Sequence, residues 1–560
     1  MPKGPIRRAQ LIAPFGVGAM MVVKDGTSVI ATGLDHWYEN EILGATGPSI
    51  DLSEFIIEEW RLSKLLRVDH FRSPPDYRRK SIRGNVQNSE LTIPFHRFPQ
   101  WHFCPFCKLL AEWPLTASDK IECPECKQKK SRSNNFVQVP FVSLCDNGHI
   151  QDFPWREWVH KSKTPTCLEA MRLISTGGAS LSAQQVQCAC GAKRNLANIT
   201  NSSPDGSETD LSNLLDTNDE PFLCQGKRPW HGDESKEECN RPLRGSLRSA
   251  SNVYFSSVRS AIYLPRGEDE APSELIQLIE RVHIYSAIDL LLRAKGAVTP
   301  SDLKSMKYIG NEFDRFSDVQ ISNAIRIIFM SNDAETDQDG GVQEVDFRHQ
   351  EYLVLREKRD DSQLMIMETS IADYDTAISK YLSRIMLIKK LRETRAFTGF
   401  SRVFPDSNYG YDMMVSQLWQ NKSPNEDLWL PAYTVFGEGI FIEIKEDLLS
   451  AWEKLDPVLR RVMPLMENYN RVQASRNLRN RNISPRLVLL HTLSHMLINQ
   501  LTFECGYSSA SLRERLYVSS SSEHPMSGLL IYTAAGDSEG TLGGLVKMGE
   551  MFLLRRFLDA

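Results

Sequence analysis

The sequence predicts a mixed α/β protein of several domains, with a central region cross-linked by metal ions. Three observations lead to this fold class. The chain has 560 residues, which corresponds to three or four domains at about 150 residues each. Ten of its eleven cysteines lie between Cys104 and Cys239, where long periodic stretches are few. Outside that region, strand-like and helix-like apolar patterns follow one another.

Composition and charge exclude several classes of protein. Apolar residues make up 41% and charged residues 24%, which allows real cores and excludes general disorder. The net charge of −5 excludes a uniformly basic nucleic-acid-binding protein, although local basic patches remain possible. The most apolar stretch, 487–501, is shorter than the roughly 18 residues of a membrane span and contains two histidines. The N-terminus has no sustained apolar run, so we expect a cytoplasmic protein without a membrane partner.

The first hundred residues are expected to contain an N-terminal α/β segment, 1–70, and a basic arm or linker, 71–100. A turn-rich tetrapeptide with Asp-Gly separates the apolar runs 19–23 and 28–31, which predicts a hairpin. The apolar pattern over 52–66 predicts a helix. Paired prolines then favour an extended arm.

Residues 101–140 are predicted to form a zinc ribbon. The sequence CPFC is followed after fifteen residues by CPEC, and each CxxC places two thiolates on one tight turn. Two such turns complete a tetrahedron around a structural Zn²⁺, with no position left for water. The alternative is four unrelated buried thiols. The predicted ligands are Cys104, Cys107, Cys123 and Cys126.

Residues 141–260 are predicted to form a Cys/His-rich region that zinc also cross-links. A second, tetrathiolate site is expected from Cys188, Cys190, Cys224 and Cys239. A third, mixed site is expected from Cys145, His149, His160 and Cys167. The alternatives are ordinary cysteines in the second set and, in the third, histidines that only form hydrogen bonds near Trp155 and Trp158. The sequence therefore predicts two to three structural Zn²⁺ ions per chain.

Residues 261–470 are predicted to form a mainly helical domain. Its clearest helical pattern is 376–398, where apolar residues recur every three to four positions with basic residues between them. The stretch 436–445 alternates like a strand, and 448–466 returns to a helical pattern.

The last block, 471–560, is predicted to be a separate α/β domain. It begins with a helix through 491–501 and continues with strands near 516–518 and 529–533. A Gly-rich turn and a final helix follow.

Two segments carry a local excess of positive charge, although the chain as a whole is acidic. There is no acidic residue from 468 to 503, and this stretch includes Arg486. Such segments can bind DNA phosphates, or they can be ordinary solvated faces. A zinc ribbon in the same chain favours nucleic acid. The candidate DNA-binding residues are Arg72, Arg78, Arg79, Lys80 and Arg83 in the first segment, and Arg471, Arg476, Arg479 and Arg481 in the second.

Complete catalytic motifs are absent from the sequence. There is no GxxxxGK[ST] motif, so no P-loop ATPase is encoded and no nucleotide-binding or catalytic residue is predicted. His491 and His495 have the spacing of a zinc protease, but Thr492 occupies the position of the general-base glutamate. These histidines are interpreted as core residues, and the alternative is a metal-dependent centre that also uses Asp537.

Several stretches together resemble a known family. They are RRAQLIAPFGVGAMM, VIATGLDHWY, VSLCDNGHIQDFPWREWVH, RPW, SNVYF and RETRAFTGFSRV. The family is that of the DrmB proteins of DISARM phage-defence systems. The C-terminal stretches HTLSHMLINQL and GLLIYTAAGDSEGTLGGL resemble the MZB domain. The resemblance implies a non-ATPase partner of DrmA, a superfamily 2 helicase that acts on invading DNA. MZB domains usually carry a cysteine cluster near their end, whereas this block has only Cys505, so the resemblance does not extend zinc binding to it.

The sequence therefore predicts a non-enzymatic accessory subunit in an antiviral defence complex. We expect it to form a heterodimer with a DrmA-like helicase, to bind DNA, and to stabilise and extend the DNA-binding surface of that helicase. Two alternatives remain: a metal-dependent nuclease or hydrolase that uses the HxxxH helix, and a transcription-type zinc-ribbon adaptor.

Overall fold

The computed structural model confirms the mixed α/β class. No helix in the part of the chain it describes is long and apolar enough to cross a membrane. The structure describes residues 6–38, 51–76, 88, 91–118, 120–129, 135–178, 180–215, 220–265, 272–307, 309–325, 328–329, 341–371, 379–405, 410–421, 428–476, 482–505, 507, 511–533 and 544–549.

Strands and helices are numbered in chain order. The strands are β1 (Met20–Val22), β2 (Ser28–Ala31), β3 (Ile56–Ile57), β4 (His70–Arg72), β5 (Phe95–Arg97), β6 (Trp101–Phe103), β7 (Leu109–Glu112), β8 (Val137–Gln138), β9 (Phe141–Leu144), β10 (Ile150–Asp152), β11 (Met171–Ser175), β12 (Gln184–Cys188), β13 (Lys193–Asn195), β14 (Arg244–Leu247), β15 (Phe255–Ile262), β16 (Arg359–Asp360), β17 (Leu364–Glu368), β18 (Leu382–Ser401), β19 (Trp429–Ile444), β20 (Leu512–Ser519) and β21 (Met526–Thr533). The α-helices are α1 (Trp60–Leu66), α2 (Pro124–Gln128), α3 (Trp155–His160), α4 (Asp210–Leu215), α5 (Ser273–Glu280), α6 (Val282–Lys295), α7 (Pro300–Lys304), α8 (Gly310–Phe313), α9 (Asp318–Ile325), α10 (Gly341–Leu355), α11 (Tyr411–Ser416), α12 (Glu446–Trp452), α13 (Asp456–Ser475), α14 (Pro485–Cys505) and α15 (Gly544–Gly549).

A nine-stranded sheet joins distant parts of the sequence. Its main path runs β16-β17-β18-β19-β21-β20, and β15 pairs with β18. The N-terminal strand β4 pairs in parallel with β19, so the first segment of the chain is part of the same sheet. The long antiparallel pair of β18 and β19 extends from the Leu382–Ile444 pair to the Ala396–Ala432 pair. Smaller sheets are β1-β2-β5, β10-β9-β14 and β13-β12-β11-β7-β6-β8.

The helix predicted over 376–398 is wrong, because β18 occupies Leu382–Ser401. Both faces of this strand are covered, so its apolar residues form a continuous run instead of alternating. Ile385 and Leu387 belong to the core beneath α14, while Met386 and Ile388 belong to the core on the opposite face. A register shift between Ile388 and Leu391 then interrupts the strand period, and the resulting spacing imitates a helix.

Other local predictions hold. The predicted hairpin forms from β1 and β2, with Met20 opposite Ile30. The alternating stretch 436–445 belongs to β19 except for its last residue. The apolar helix is α14, and the two C-terminal strands are β20 and β21. The helix predicted over 52–66 is shorter and begins at Trp60, because Ile56 and Ile57 pair with β4 as strand β3. Helices α5 to α9 pack around a separate apolar core within the predicted helical block.

A buried ion network joins α1, α10 and the large sheet. Glu351 on α10 is fully buried and binds Arg515 of β20 through both carboxylate oxygens at 2.7 Å. Arg61 of α1 lies 3.5 Å from the same carboxylate. Burial alone would raise the pKa of Glu351, but the positive charges of Arg515, Arg61 and Arg348 outweigh it and lower that pKa. Such a paired network stabilises the packing because each charge would be costly to bury alone.

Arg402, directly after β18, attaches the cysteine-rich region to the large sheet. Its fully buried guanidinium donates hydrogen bonds to the carbonyls of Gly18 at 2.8 Å, Gly148 at 2.8 Å and Val253 at 2.6 Å. It also lies 5.4 Å from the ring centre of Trp230. One side chain therefore connects three remote backbone segments, and a charged donor makes each hydrogen bond stronger than a neutral one.

Candidate metal centres

The first cluster contains Cys104, Cys107, Cys123 and Cys126, the four residues predicted for the ribbon. Their sulfur atoms all lie within 4.8 Å of one another. The Sγ atoms of Cys104 and Cys126 are 3.6 Å apart, and those of Cys107 and Cys123 are 3.5 Å apart. A Zn–S distance of about 2.3 Å gives a tetrahedral edge of about 3.8 Å. The donor set and its spacing therefore fit Zn²⁺.

Backbone N–H groups in the first CxxC turn support a thiolate at Cys104. Burial alone would raise the pKa of Cys104, but hydrogen bonds from the backbone N–H groups of Cys107 and Phe106 help lower it to about 7. Arg172 of β11 donates to the carbonyl of Cys107 and forms a two-oxygen ion pair with Glu125 at 2.8 and 2.9 Å. Because Glu125 lies between Cys123 and Cys126, Arg172 holds the two turns together.

The second cluster contains Cys145, His149, Cys224 and Cys239. The Sγ of Cys145 lies 3.5 Å from Nδ1 of His149 and 4.0 Å from Sγ of Cys239. The other ring nitrogen of His149, Nε2, lies 2.6 Å from a carboxylate oxygen of Glu237. A carboxylate on the second nitrogen is the usual partner of a zinc-binding histidine, since it fixes the tautomer and the ring orientation.

The third cluster contains His160, Cys167, Cys188 and Cys190. The Sγ atoms of Cys167 and Cys188 are 3.6 Å apart, and Sγ of Cys190 lies 3.5 Å from Nε2 of His160. Nδ1 of His160 is 2.7 Å from the carbonyl of Arg156, which leaves Nε2 available as a ligand atom. The backbone N–H of Ala192 is the main cause that lowers the pKa of Cys190 to about 7. This arrangement also fits a closed zinc site.

The sets predicted for the second and third sites were wrong, although the same eight residues form both clusters. The structure groups Cys224 and Cys239 with Cys145 and His149 instead of with Cys188 and Cys190. Cys224 pairs through its N–H with the carbonyl of Arg241, which brings it close to Cys239.

The local folds explain the observed grouping. Cys145 and His149 flank the turn between β9 and β10, where Gly148 has a φ of +79° that glycine readily adopts. Gln151 of β10 accepts a hydrogen bond at 3.0 Å from the N–H of Gln225, which places the segment of Cys224 beside this turn. His160 ends α3, and Cys188 pairs opposite Met171 near Cys167. Strand pairing rather than sequence spacing therefore selects the ligands.

The cysteine-rich region also has an apolar core. Phe153, Trp155 and Trp158 are fully or almost fully buried and pack against one another at ring-centre distances of 4.8 and 5.9 Å. Cys145, Cys188 and Cys224 belong to the same core. The second and third cysteine clusters therefore lie around a small aromatic core and do not replace it.

The histidines of the HxxxH motif are not core residues, which corrects the interpretation from the sequence. The side chains of His491 and His495 are 53% and 55% exposed, and both approach Glu514 of β20. Sequence reasoning missed Glu514, because only the packing of α14 on β20 brings it to the histidines. Asp537 lies outside the described residues.

Few of the predicted DNA-binding residues lie on an exposed described surface. Arg471 on α13 and Arg476 at its end are exposed. Arg72 is half-buried in β4, where Nε is 2.8 Å from Nε2 of His70 and the guanidinium lies 4.8 Å from the ring centre of Trp429. The remaining candidates, Arg78, Arg79, Lys80, Arg83, Arg479 and Arg481, lie outside the described residues.

Arg486 does not contribute to a basic surface. Its guanidinium is buried and binds Glu446 at 2.6 Å and Glu453 at 2.9 Å. It also donates to the carbonyls of Ser519 and Met526. This arginine therefore attaches α14 to α12 and to the ends of β20 and β21.

Comparison with known proteins identifies two family models and one relative that match this chain. Residues 7–255 match a family model described as a domain of unknown function, DUF8724. Residues 493–560 match the model of the MZB domain, described as the MrfA Zn-binding domain. The chain is 30% identical over 510 residues to a DISARM protein DrmB of Bacillus paralicheniformis (strain ATCC 9945a / NCIMB 11709 / CD-2), and the match covers 88% of this chain and 82% of that protein. These matches confirm the resemblance predicted from the sequence motifs.

The contact between the Glu237 carboxylate and His149 gives a specific prediction for the second cluster. Replacement Glu237→Ala leaves Nε2 of His149 without its carboxylate, so we expect the zinc affinity of this one cluster to fall by about 10- to 100-fold. Competition with a chromogenic chelator measures this as one zinc ion per chain that is released more readily. The control Glu238→Ala changes an adjacent exposed carboxylate and should leave the release curve unchanged. Equal curves for both variants would contradict the role of Glu237.

Proposed function

The chain belongs to the DrmB family of DISARM proteins, and we propose that it is a non-ATPase accessory subunit of a DrmA-like superfamily 2 helicase. In this role it works in a cytoplasmic antiphage defence complex, binds DNA, and stabilises and extends the DNA-binding surface of the helicase. The observation that carries the proposal is that each cysteine cluster has four protein ligands. Closed four-ligand sets are typical of structural zinc, because no position is left for a water or substrate.

The proposal includes three structural Zn²⁺ ions, one in each cysteine cluster. Two contacts between the clusters and the rest of the fold support a structural role for these ions. Arg172 joins the two turns of the first cluster, and Arg402 binds the carbonyl of Gly148 inside the second. Zinc bound at these positions would hold the surrounding segments of the chain in place. A non-enzymatic subunit needs such fixed segments to present a surface to its partners.

Helix α13 supplies a surface on which a partner protein can dock. Within this 20-residue helix only Val462 and Gln473 are buried. Leu455 is the residue directly before the helix, and Leu459 and Met463 lie one helical turn apart on one side of it. Their exposed fractions are 52%, 39% and 49%. An apolar stripe at this spacing is the feature by which a helix packs into the groove of another protein.

The same helix supports DNA binding at its C-terminal end. Arg471 and Arg476 are exposed there, and no acidic residue occurs in the sequence from 468 to 503. Arg479 and Arg481 follow directly in the sequence and belong to the same proposed surface. Arginine contacts to phosphates position DNA without reading its sequence. If α13 contacts the helicase along its length and DNA at its C-terminal end, it extends the DNA-binding surface of the helicase.

We predict that the double replacement Leu459→Asp and Met463→Asp abolishes co-purification with the helicase subunit. Two carboxylates in an apolar contact would be buried without partners, which costs more free energy than the contact supplies. The measurement is affinity purification of the co-expressed subunits, followed by assay of DNA-stimulated ATP hydrolysis. Leu290→Asp is the matched control, because Leu290 on α6 is 70% exposed and lies outside the proposed surface. Retention of the helicase by the double variant would show that α13 is not the docking helix.

A second prediction concerns DNA. Replacing Arg471 and Arg476 by Ala removes two phosphate contacts, so the slope of log K against log salt should decrease by up to about 2. Fluorescence anisotropy of a labelled duplex with the complex, measured over a range of salt concentrations, gives this slope. The control is Arg293→Ala with Lys295→Ala, which removes the same charge from α6. An unchanged slope in the Arg471 and Arg476 variant would count against the DNA surface.

A further inference from the structure

Three potential ligand atoms converge on the outer side of α14. Nε2 of His491 and Nε2 of His495 are 3.1 Å apart. Oε1 of Glu514, from β20, lies 3.3 Å from the first and 3.6 Å from the second. No cysteine takes part, and the group is separate from the three cysteine clusters.

Helix–sheet packing holds this group in place. Leu490 and Leu497 of α14 pack in one core with Leu512 of β20. Side chains two residues apart on a strand share a face, so Glu514 faces α14 together with Leu512 and Leu516. His491 and His495 are one helical turn apart and point to the same side. Ligands carried by rigid elements keep their relative positions better than ligands on loops.

The distances fit one metal ion with nitrogen and oxygen ligands. Metal–ligand bonds of about 2.0–2.2 Å correspond to distances between ligand atoms of about 2.8–3.6 Å, depending on coordination geometry. All three measured separations fall in this range. The second oxygen of Glu514, Oε2, is buried and has no hydrogen-bond partner within the described part of the chain. Ligation of this carboxylate would offset the cost of leaving that oxygen unpaired.

We propose that His491, His495 and Glu514 bind a divalent transition-metal cation of the Zn²⁺ class with an open coordination position. Two imidazoles and one carboxylate suit Zn²⁺ and its neighbours in the first transition series. The exposure of both histidines places the ion at the protein surface, where water or another oxygen ligand completes the coordination. This site does not depend on the proposed function, and it differs from the cysteine clusters in that its ion exchanges with solution.

The group of His491, His495 and Glu514 would also give the C-terminal domain a metal site without cysteine ligands. The residues that match the Zn-binding domain model contain a single cysteine, Cys505, and one thiolate fills only one of the four positions around zinc. His495 and Glu514 lie within the matched residues, 493–560, and His491 lies two residues before the first of them. Thr492 supplies no general base, so the inference concerns metal binding and not hydrolysis.

The test is titration of the full-length protein, with its cysteine clusters loaded with zinc, by Co²⁺ alone. We expect one additional equivalent of Co²⁺ with visible d–d absorption and without the charge-transfer bands that thiolate ligands produce. His491→Ala removes one ligand, and Glu514→Gln removes the anionic ligand with little change in shape. Each should weaken Co²⁺ binding at least tenfold.

The matched control is His524→Ala. Nδ1 of His524 lies 3.2 Å from Nδ1 of His349, so this is also a pair of imidazoles, but it is not part of a three-ligand group within the described residues. The control should bind Co²⁺ like the unmodified protein. Absence of the additional equivalent in the unmodified protein would overturn the proposal. Equal affinities for the unmodified protein, His491→Ala and Glu514→Gln would also overturn it.

Discussion

Convergence of four cysteine and histidine side chains on one point, in each of three clusters, is the constraint on which the centre of this protein depends. Residues 101–260 contain short strands and helices, and the clusters join segments that are distant in sequence. Cys145 and Cys239, for example, are separated by 94 positions yet lie 4.0 Å apart. Closing such a long loop costs conformational entropy, and the free energy of the proposed zinc binding would offset that cost. The small core of Phe153, Trp155 and Trp158 adds apolar burial around the clusters.

Arg402 connects the cysteine-rich region to the rest of the fold. This side chain binds Gly18, Gly148 and Val253, and its guanidinium lies near Trp230. Arg402 and these four residues all belong to the stretches that carry the DrmB resemblance. The stretches that carry the resemblance therefore meet at a structural junction between the second cysteine cluster, the N-terminal segment and the large sheet.

Sequence reasoning succeeded where the determinants were local. The first cluster was predicted because both CxxC turns bring their own pairs of thiolates together, and the β1–β2 hairpin because its turn is only four residues long. The second and third clusters were grouped wrongly, since strand pairing decides whether Cys224 meets Cys145 or Cys188. Strand β18 was taken for a helix because burial on both faces removes alternation. Glu514 could not be predicted, as its contact with His491 arises only from tertiary packing.

The most direct test of the account is zinc analysis combined with limited proteolysis of the full-length protein. We expect three tightly held zinc ions per chain. Their removal by a strong chelator should expose residues 101–260 to protease while the large sheet, which has its own buried cores, stays resistant. A protein with less than one zinc ion per chain, or a central region that stays resistant after complete removal of zinc, would contradict the central role of metal coordination.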